Sequence, residues 1–327
     1  MGENLTVDTH PFARLTPDLV LDAVAAAGLR PDGRQLGLNS YENRVYQVWL
    51  EDETVVVAKF YRPGRWSDAQ IEEEHAFARE LAEREVPVVA PTHTFTFDAF
   101  RVALYPRRGG RTPELGDGKT LEWIGRFIGR IHAVGCSRKF ATRETLNART
   151  FGHDQRKFLL TTSFIPANLL DSWKAVTEQA LSAVERCYGN SSALKNIRLH
   201  GDCHAGNILW TADGPHFVDL DDSRMGPAVQ DLWMLLSGER ASMQRQLRDV
   251  IAGYEQFMAF DRRELALLEA LRTLRLINYS AWIARRWDDP AFPAAFPWFD
   301  TPRYWQDRIL ELREQIALMD EPPLGLD

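Results

Sequence analysis

Hydrophobic positions in the first sixty residues follow two periods, one typical of a helix and one typical of strands. Residues 17–27 carry an apolar stripe at helical spacing, beginning at a proline and ending before Gly28, so a short amphipathic helix is expected there. Three strands are then predicted, at 35–38, 44–50 and 54–61. β-Branched and aromatic residues concentrate in the second and third, and a polar turn at 39–43 separates the first from the second.

The pattern between residues 67 and 106 predicts a second helix and a hairpin. The helix is expected at 67–84, and the hairpin strands at 92–97 and 100–105. The segment 106–111, Pro-Arg-Arg-Gly-Gly-Arg, has the clearest linker composition in the chain. We therefore expect a small N-lobe with an antiparallel sheet and a helix at 1–106, and a larger, mainly helical C-lobe at 107–327.

Beyond residue 111 the apolar residues recur mostly at helical spacing. Helices are predicted at 119–134, 168–187, 227–237, 240–259, 261–287 and 302–319. Between the second and third of these helices, short apolar runs predict two or three short strands joined by tight loops. The whole pattern indicates an α+β protein with two lobes.

Composition and charge narrow the class of protein. The chain has 327 residues, 45% hydrophobic and 26% charged, which is enough for two lobes of ordinary size. Its formal charge of −7 argues against a nucleic-acid partner, because such proteins bind phosphates through Lys and Arg. Three widely spaced cysteines fit a reducing compartment, and no apolar run approaches the roughly 18–20 residues that cross a bilayer. We expect a cytoplasmic monomer without a membrane or nucleic-acid partner.

The stretch Leu199 to Trp210 carries the strongest chemical signal. It reads Leu-His-Gly-Asp-Cys-His-Ala-Gly-Asn-Ile-Leu-Trp, with Asn207 five residues after Asp202, and Asp219 follows within a second short apolar run. Phosphoryl transfer in kinase folds needs an aspartate that accepts the proton of the acceptor hydroxyl, plus an asparagine and a second aspartate that hold Mg²⁺. We predict that Asp202 and Asp219 are catalytic, with Asp202 as the general base, and that Asn207 and Asp219 are Mg²⁺ ligands.

Two residues of the N-lobe are candidates for ATP binding. Lys59 follows the strand-like run 55–58, as does the kinase lysine that holds the α- and β-phosphates. Glu74 lies fifteen residues later in the predicted helix, where it can hold Lys59, whereas Glu72 and Glu73 point to other sides of that helix.

A third ATP-binding candidate is Ser40, in the loop between the first two predicted strands. Residues 39–43, Asn-Ser-Tyr-Glu-Asn, take the place of the glycine-rich loop of other kinases. Backbone N–H groups of such a turn, together with the Ser40 hydroxyl, can reach phosphate oxygens.

His200 and Asp231 are predicted to support the catalytic loop rather than to react. Asp231 opens the helix predicted at 227–237, from which its carboxylate can hydrogen-bond the loop backbone or complement the helix dipole. Two other kinds of site are excluded. The segment 118–120, Gly-Lys-Thr, lacks the first glycine and the preceding strand of a P-loop. The cluster of His200, Cys203 and His204 lacks the second ligand pair of a zinc site.

These motifs resemble those of a known family. His200-Gly201-Asp202 with Asn207 and Asp219 is similar to the aminoglycoside phosphotransferase and choline kinase branch of the protein-kinase-like fold. Longer strings resemble a closer group, the bacterial serine/threonine protein kinases of the stress response kinase A family. These strings include 38–46, 59–63, 199–210, 217–222, 226–236 and 289–293, and they extend the resemblance to nearly the whole chain.

The resemblance implies a two-lobed protein-kinase-like fold and a cytoplasmic kinase that uses ATP and Mg²⁺. Its implied acceptor is a serine or threonine residue of a protein, and its implied role is a response to envelope or oxidative stress. Residue by residue, it makes Asp202 the proton acceptor, Asn207 and Asp219 the Mg²⁺ ligands, and Ser40 part of the ATP-contacting loop.

Other features of the sequence leave two classes of phosphoryl acceptor possible, a protein or a small molecule. Only eleven residues separate Asp219 from Asp231, which leaves no room for a long activation segment that would hold a peptide. A small-molecule kinase acting on an amino alcohol or aminoglycoside is therefore the main alternative. A nucleotide-binding pseudokinase is a third possibility, against which the intact set of Lys59, Asp202, Asn207 and Asp219 argues. The aromatic residues within 282–305 form either an acceptor pocket or core.

Overall fold

The computed structural model describes residues 10–190 and 194–326. The first lobe consists of a five-stranded antiparallel sheet, of order β1-β2-β3-β5-β4, and two helices. These elements are α1 (Pro17–Ala26), β1 (Pro31–Leu38), β2 (Arg44–Leu50), β3 (Val55–Phe60), α2 (Asp68–Glu83), β4 (His93–Phe97) and β5 (Phe100–Pro106).

Both helices of this first lobe begin as their sequences predict. The Thr16 hydroxyl accepts a hydrogen bond from the Leu19 amide, and Pro17 occupies the first turn of α1. Ser67 and Gln70 form a reciprocal capping box at the start of α2. The buried face of α1 packs with the sheet in one apolar cluster, which includes Val24 and Phe60.

The second lobe is mainly helical and contains two small antiparallel β-ladders, one between β6 and β9 and one between β7 and β8. Its strands are β6 (Ile197–Leu199), β7 (Ile208–Thr211), β8 (Gly214–Phe217) and β9 (Arg224–Gly226). Its α-helices are α3 (Gly118–Gly135), α4 (Asp154–Leu159), α5 (Leu170–Asn190), α6 (Val229–Trp233), α7 (Arg240–Tyr254), α8 (Leu268–Ala284), α9 (Ala291–Ala295) and α10 (Pro302–Asp320). Residues Ala148–His153 form a π-helix, and short 3₁₀ segments occur at Ala205–Asn207, Leu220–Asp222 and Arg262–Leu267.

Helices α3 and α7 cross closely enough to need glycine at the contact. A Cβ atom on Gly125 would lie 2.0 Å from the carbonyl oxygen of Val250, and one on Gly253 would lie 1.9 Å from that of Glu122. Such distances exclude any side chain at these positions. The close crossing fixes α3, whose buried His132 supports the catalytic loop described below.

Several predicted boundaries differ from the structure. The helix expected at 227–237 covers only Val229–Trp233, since the chain turns before Gly238, which has a φ of 85°. The helix expected at 261–287 begins as a 3₁₀ segment that Asp261 caps. Strand β1 starts four residues early, across an irregular register near Gly33. The loop region contains four short strands rather than two or three, and α4 and α9 were not predicted.

The predicted α+β, two-lobed architecture is present. Strand β5 ends at Pro106, where the linker composition begins, and residue 106 remains our proposed lobe boundary. In the part of the chain that is described, no helix combines the length and apolar character needed to cross a membrane.

Candidate active site

A cavity of about 980 Å³ lies between the sheet and the helical lobe. Among the residues that line it are six of the predicted site residues: Ser40, Lys59, Glu74, Asp202, Asn207 and Asp219. The two predicted supporting residues, His200 and Asp231, are buried next to this wall. The structure therefore brings all eight predicted residues to one place, although they are spread over nearly two hundred positions of sequence.

Lys59 is held in the cavity wall by three carboxylates. Its Nζ lies 3.2 Å from Asp219 Oδ1, 3.2 Å from Asp221 Oδ1 and 3.6 Å from Glu74 Oε1. Burial lowers the pKa of Lys59, but the negative charges of Asp221, Glu74 and Asp219 outweigh this effect and raise its pKa well above the ordinary value. The lysine is therefore a fixed cation at neutral pH.

Glu74 is held by groups from both lobes. Its Oε1 accepts a hydrogen bond from the Tyr61 hydroxyl at 3.0 Å, and its Oε2 lies 3.2 Å from Arg143 Nη2. Burial raises the pKa of Glu74 above its ordinary value, while Lys59 and Arg143 oppose that effect. This carboxylate connects helix α2 to strand β3 and to the second lobe.

The neighbouring glutamates of α2 point elsewhere, in line with the helical spacing. Glu72 forms an ion pair with Arg101 on strand β5. Glu73 accepts hydrogen bonds from three consecutive backbone amides, at residues 141–143, and thereby ties α2 to the second lobe. Only Glu74 of the three approaches Lys59.

Asp231 braces the catalytic loop through its backbone. The loop follows strand β6, and the two carboxylate oxygens of Asp231 accept hydrogen bonds from the His200 amide at 2.8 Å and the Gly201 amide at 2.9 Å. His132 Nε2 lies 3.0 Å from the same carboxylate, and the Tyr254 hydroxyl lies 3.0 Å from its Nδ1. All of these side chains are fully buried or nearly so.

His200 connects the loop to the chain segment that carries Asp219. Its Nε2 lies 2.9 Å from the carbonyl oxygen of Val218, the residue before Asp219. Gly201 has a φ of 88°, and a Cβ atom there would lie 2.1 Å from the carbonyl oxygen of Asp222. The two halves of the site are therefore joined by backbone contacts that tolerate little displacement.

Asp202 points into the cavity and is held by the side chains of Arg275 and His204. Its Oδ1 accepts a hydrogen bond from Arg275 Nη1 on helix α8 at 2.8 Å, and its Oδ2 lies 3.4 Å from His204 Nε2. Burial raises the pKa of Asp202, but His204 and Arg275 outweigh this effect and lower the pKa below its ordinary value. The carboxylate is therefore ionised at neutral pH and can accept a hydrogen bond from an acceptor hydroxyl.

Asn207 and Asp219 present oxygen atoms of the type that Mg²⁺ prefers. The Asn207 side-chain NH₂ donates to the Asp202 carbonyl oxygen at 3.0 Å, which leaves the amide oxygen as its free acceptor. Asp219 adopts a left-handed backbone conformation with a φ of 60°, and about half of its side chain is exposed. Within the described ranges, no group of three or more His, Cys, Asp or Glu residues has the arrangement of a complete metal site. The donors fit a cation whose remaining ligands are phosphate and water.

The loop 39–43 lies over the cavity and is fastened at its second half. Asn43 is buried, donates to Asp221 at 3.3 Å and accepts from the Arg62 amide at 3.0 Å. Glu42 accepts a hydrogen bond from Trp282 Nε1 at 2.6 Å and pairs with Arg286 at 2.6 Å, both in the helical lobe. Ser40, by contrast, is half-buried and lines the cavity.

Sequence reasoning missed several residues of this site. Asp221 is buried and pairs with Lys59 at 3.2 Å and with Arg65 at 2.6 Å. It stands only two positions after Asp219, and this proximity in sequence is the signal by which it could have been found. Arg275 contacts Asp202 from a helix 73 positions away. No local pattern indicates such a contact.

The aromatic residues within 282–305 belong mainly to the core. Phe292, Phe299 and Trp305 are fully buried. Trp298 is exposed, and Trp282 lines the cavity and donates its indole N–H to Glu42. Core packing is therefore the main role of this segment, and its contribution to the cavity comes from its beginning.

Residues 34–268 match the family model described as the phosphotransferase enzyme family. The chain is 45% identical to stress response kinase A of Salmonella choleraesuis over 320 residues, covering 96% of this chain and 97% of that protein. It is 44% identical, over the same shares, to the serine/threonine protein kinase RdoA of Salmonella typhimurium. These matches confirm the resemblance drawn from the motifs.

A solved structure extends the likeness to the fold. The amicoumacin kinase hAmiN, described in complex with AMP-PNP, Ca²⁺ and Ami, superposes with a TM-score of 0.70 at 17% identity, covering 93% of this chain and 94% of that chain. The predicted protein-kinase-like fold is thereby confirmed. The chain belongs to the phosphotransferase enzyme family and is an enzyme of the kinase type.

Proposed function

We propose that this chain is an ATP- and Mg²⁺-dependent kinase that phosphorylates serine or threonine residues of proteins in a stress response. One observation carries the proposal. A single cavity is lined by the residue types that phosphoryl transfer needs: a lysine for the phosphates, an aspartate for the acceptor proton, and an asparagine and an aspartate for Mg²⁺. These are Lys59, Asp202, Asn207 and Asp219. The names of the relatives, stress response kinase A and serine/threonine protein kinase RdoA, support the acceptor class and the biological role. The nucleotide analogue and Ca²⁺ of the amicoumacin kinase complex support a nucleotide and a divalent cation.

In the proposed reaction, Asp202 accepts a hydrogen bond from the acceptor hydroxyl and takes its proton. The hydroxyl oxygen forms a bond to the γ-phosphorus, and the bond from that phosphorus to the bridging oxygen breaks, so that ADP leaves with the electron pair. Arg275 and His204 hold the carboxylate of Asp202 ionised and oriented towards the cavity.

The opposite wall would hold the nucleotide. Lys59, positioned by Glu74, contacts phosphate oxygens, and the backbone amides of loop 39–43 with the Ser40 hydroxyl cover them. Asn207 and Asp219 hold Mg²⁺, which when bound neutralises charge on the transferred phosphoryl group. His200 and Asp231 keep these two ligands and Asp202 in register through the backbone.

A small-molecule kinase is the second candidate, and one observation favours it. The segment between Asp219 and Asp231 is short, and nearly all of residues 220–230 are buried. It therefore offers no exposed platform on which a peptide would lie, as the activation segment of other protein kinases does.

We also propose that the enzyme works as a monomer in the cytoplasm. The three cysteines are free, with Cys136 exposed, Cys187 partly exposed and Cys203 buried. Free thiols fit a reducing compartment.

Incubation with γ-labelled ATP and Mg²⁺ separates the two candidates. The full chain is supplied in parallel with a generic protein substrate, a cell lysate, and a panel of aminoglycosides, choline and homoserine. We expect label in protein serine or threonine, with little transfer by Asp202→Asn. Label that enters only small molecules would overturn the protein-kinase assignment in favour of the second candidate.

A further inference from the structure

The cavity continues past the nucleotide residues to a second wall, which we call the acceptor wall. It is formed by helix α8 and the residues just after it, by the π-helix Ala148–His153, and by the segment around β9. Asp202 faces this wall, because its carboxylate bonds to Arg275 of α8. An acceptor whose hydroxyl reaches Asp202 must therefore place its neighbouring atoms against the acceptor wall.

The acceptor wall is rich in arginine. Four arginines of this wall line the cavity, Arg224, Arg275, Arg285 and Arg286, and Arg65 of the first lobe lines it beside them. They come from four separate parts of the chain, so the cluster is a product of the fold and not of a basic run in the sequence.

The carboxylates near these arginines are shared between them. Asp222 pairs with Arg224 at 2.6 Å and with Arg65 at 2.7 Å. Glu42 pairs with Arg286 at 2.6 Å and also with Arg65 at 3.1 Å. Each of these acids therefore serves more than one cation, while Arg65 and Arg275 each have a further carboxylate partner, Asp221 at 2.6 Å and Asp202 at 2.8 Å. Glu144, another acid that lines the cavity, is exposed to solvent.

Arg285 retains donors for a further anion. Its hydrogen bond to the Gln155 side-chain oxygen, at 3.1 Å, and its contact with the face of the Phe158 ring, 3.7 Å from the ring centroid, are both to neutral groups, and Asp154 attracts it only through space. The guanidinium of Arg285 is exposed, so an acceptor in the cavity can reach it. Arg286 stands beside it and is already bonded to Glu42 and to the Trp282 carbonyl oxygen.

Burial disfavours the charged form of two of these arginines, whereas nearby carboxylates raise the pKa of Arg65. Burial lowers the pKa of Arg224, and repulsion by Arg65 and Arg143 adds to that effect against the attraction of Asp222. Burial likewise lowers the pKa of Arg286, which Glu42 only partly opposes. Both guanidinium groups stay charged at neutral pH, so this wall would gain from an added negative charge.

We propose that the acceptor carries an anionic group close to its hydroxyl, and that this group binds at the acceptor wall beside Arg285 and Arg286. This inference rests on the proposed kinase function and names the substrate class of the same site. Guanidinium groups bind carboxylate or phosphate through paired hydrogen bonds, whereas a cationic amine would be repelled. For a protein acceptor, the group is an aspartate or glutamate next to the serine or threonine.

Three serine peptides that differ only in the flanking residues test the proposal with the full chain and MgATP. The flanks are three Glu, three Gln or three Lys residues, and kcat/KM is measured for each peptide. We expect the Glu-flanked peptide to be preferred over the Gln-flanked one by about tenfold, and the Lys-flanked one to be poorest. Higher ionic strength should reduce this preference.

Variants at Arg285 test the assigned site. Arg285→Gln should reduce the preference for Glu over Gln flanks to about threefold or less and leave the KM for ATP unchanged. Arg285→Lys keeps the positive charge and should therefore retain most of the preference for Glu flanks. Arg303→Gln is the matched control, because Arg303 is highly exposed on α10 and remote from the cavity lining. A preference that persists unchanged in Arg285→Gln would contradict the proposed site.

The source of the anion is tested with small hydroxy compounds, glycerate and glycerol 3-phosphate against glycerol and choline. Label confined to the anionic small compounds supports the anionic acceptor and rejects the protein source. If neutral or cationic peptides or small molecules are phosphorylated as well as the anionic ones, or better, the anionic acceptor is ruled out and the proposed kinase function is unaffected. An absence of transfer to every acceptor contradicts both proposals.

Discussion

The brace formed by Asp231 gives the sharpest prediction about how this site is held together. The substitution Asp231→Ala removes the acceptor for the His200 and Gly201 amides and the partner of His132 Nε2, all of them buried. Each buried donor left without an acceptor costs about 1–3 kcal/mol. Three such donors give an expected loss of unfolding free energy of about 3–9 kcal/mol, a large part of the roughly 5–15 kcal/mol typical of folded proteins.

Urea unfolding followed by tryptophan fluorescence measures this loss, and steady-state kinetics measures its effect on turnover. Because the loop carries both Asp202 and Asn207, kcat should fall even at temperatures where the variant remains folded. Glu178→Ala is the matched control, since its side chain on α5 is largely exposed, and it should change stability by no more than about 0.5 kcal/mol. A loss of unfolding free energy below about 1 kcal/mol for Asp231→Ala would show that its buried hydrogen bonds do not stabilise the loop.

Three further predictions concern charge. Lys59→Met should weaken MgATP binding by about 10–100-fold, because a charge-assisted contact is lost; calorimetry that finds equal affinity would rule out the phosphate role. Glu42→Gln should cost roughly 3 kcal/mol, because it breaks buried ion pairs with Arg62 of the first lobe and Arg286 of the second, and should raise the KM for ATP; an unchanged melting temperature would show that these ion pairs do not stabilise the fold. Burial raises the pKa of Glu264 to about 7 from its ordinary value of 4.5, so its contribution to stability is present below pH 4.5 and is lost as pH rises through 7. Glu264→Gln should thus gain on the order of 3 kcal/mol relative to the native protein between pH 4 and pH 8; parallel pH profiles of unfolding would contradict this.

Much of the fold could be predicted because its local signals agree with each other. The capping box at Ser67, the proline at the start of α1 and the β-branched and aromatic residues of β2 and β3 all act within a few residues. The predictions were wrong where tertiary contacts decide the ends of elements. Helix α6 is much shorter than its apolar pattern, because the residues after Trp233 are buried by packing rather than by helix formation.

The residues of the site divide in the same way into those with a local sequence signal and those placed by tertiary contacts. The positions of Asp202, Asn207 and Asp219 could be predicted because the loop geometry fixes their spacing in sequence. The contacts of Arg275 with Asp202 and of Glu42 with Trp282 could not, because they join residues 73 and 240 positions apart. Asp221 lay within the recognised motif, but only the structure places its carboxylate against Lys59 and Arg65.

The central claim is that Asp202 accepts the proton of the acceptor hydroxyl. The most direct measurement compares kcat and the MgATP dissociation constant of Asp202→Asn with those of the native protein, and with Asp213→Asn, which alters an exposed turn. We expect Asp202→Asn to lower kcat by about 10²–10⁴-fold and to leave MgATP affinity within a few-fold, while Asp213→Asn changes neither. A native kcat in Asp202→Asn would show that Asp202 is not the proton acceptor.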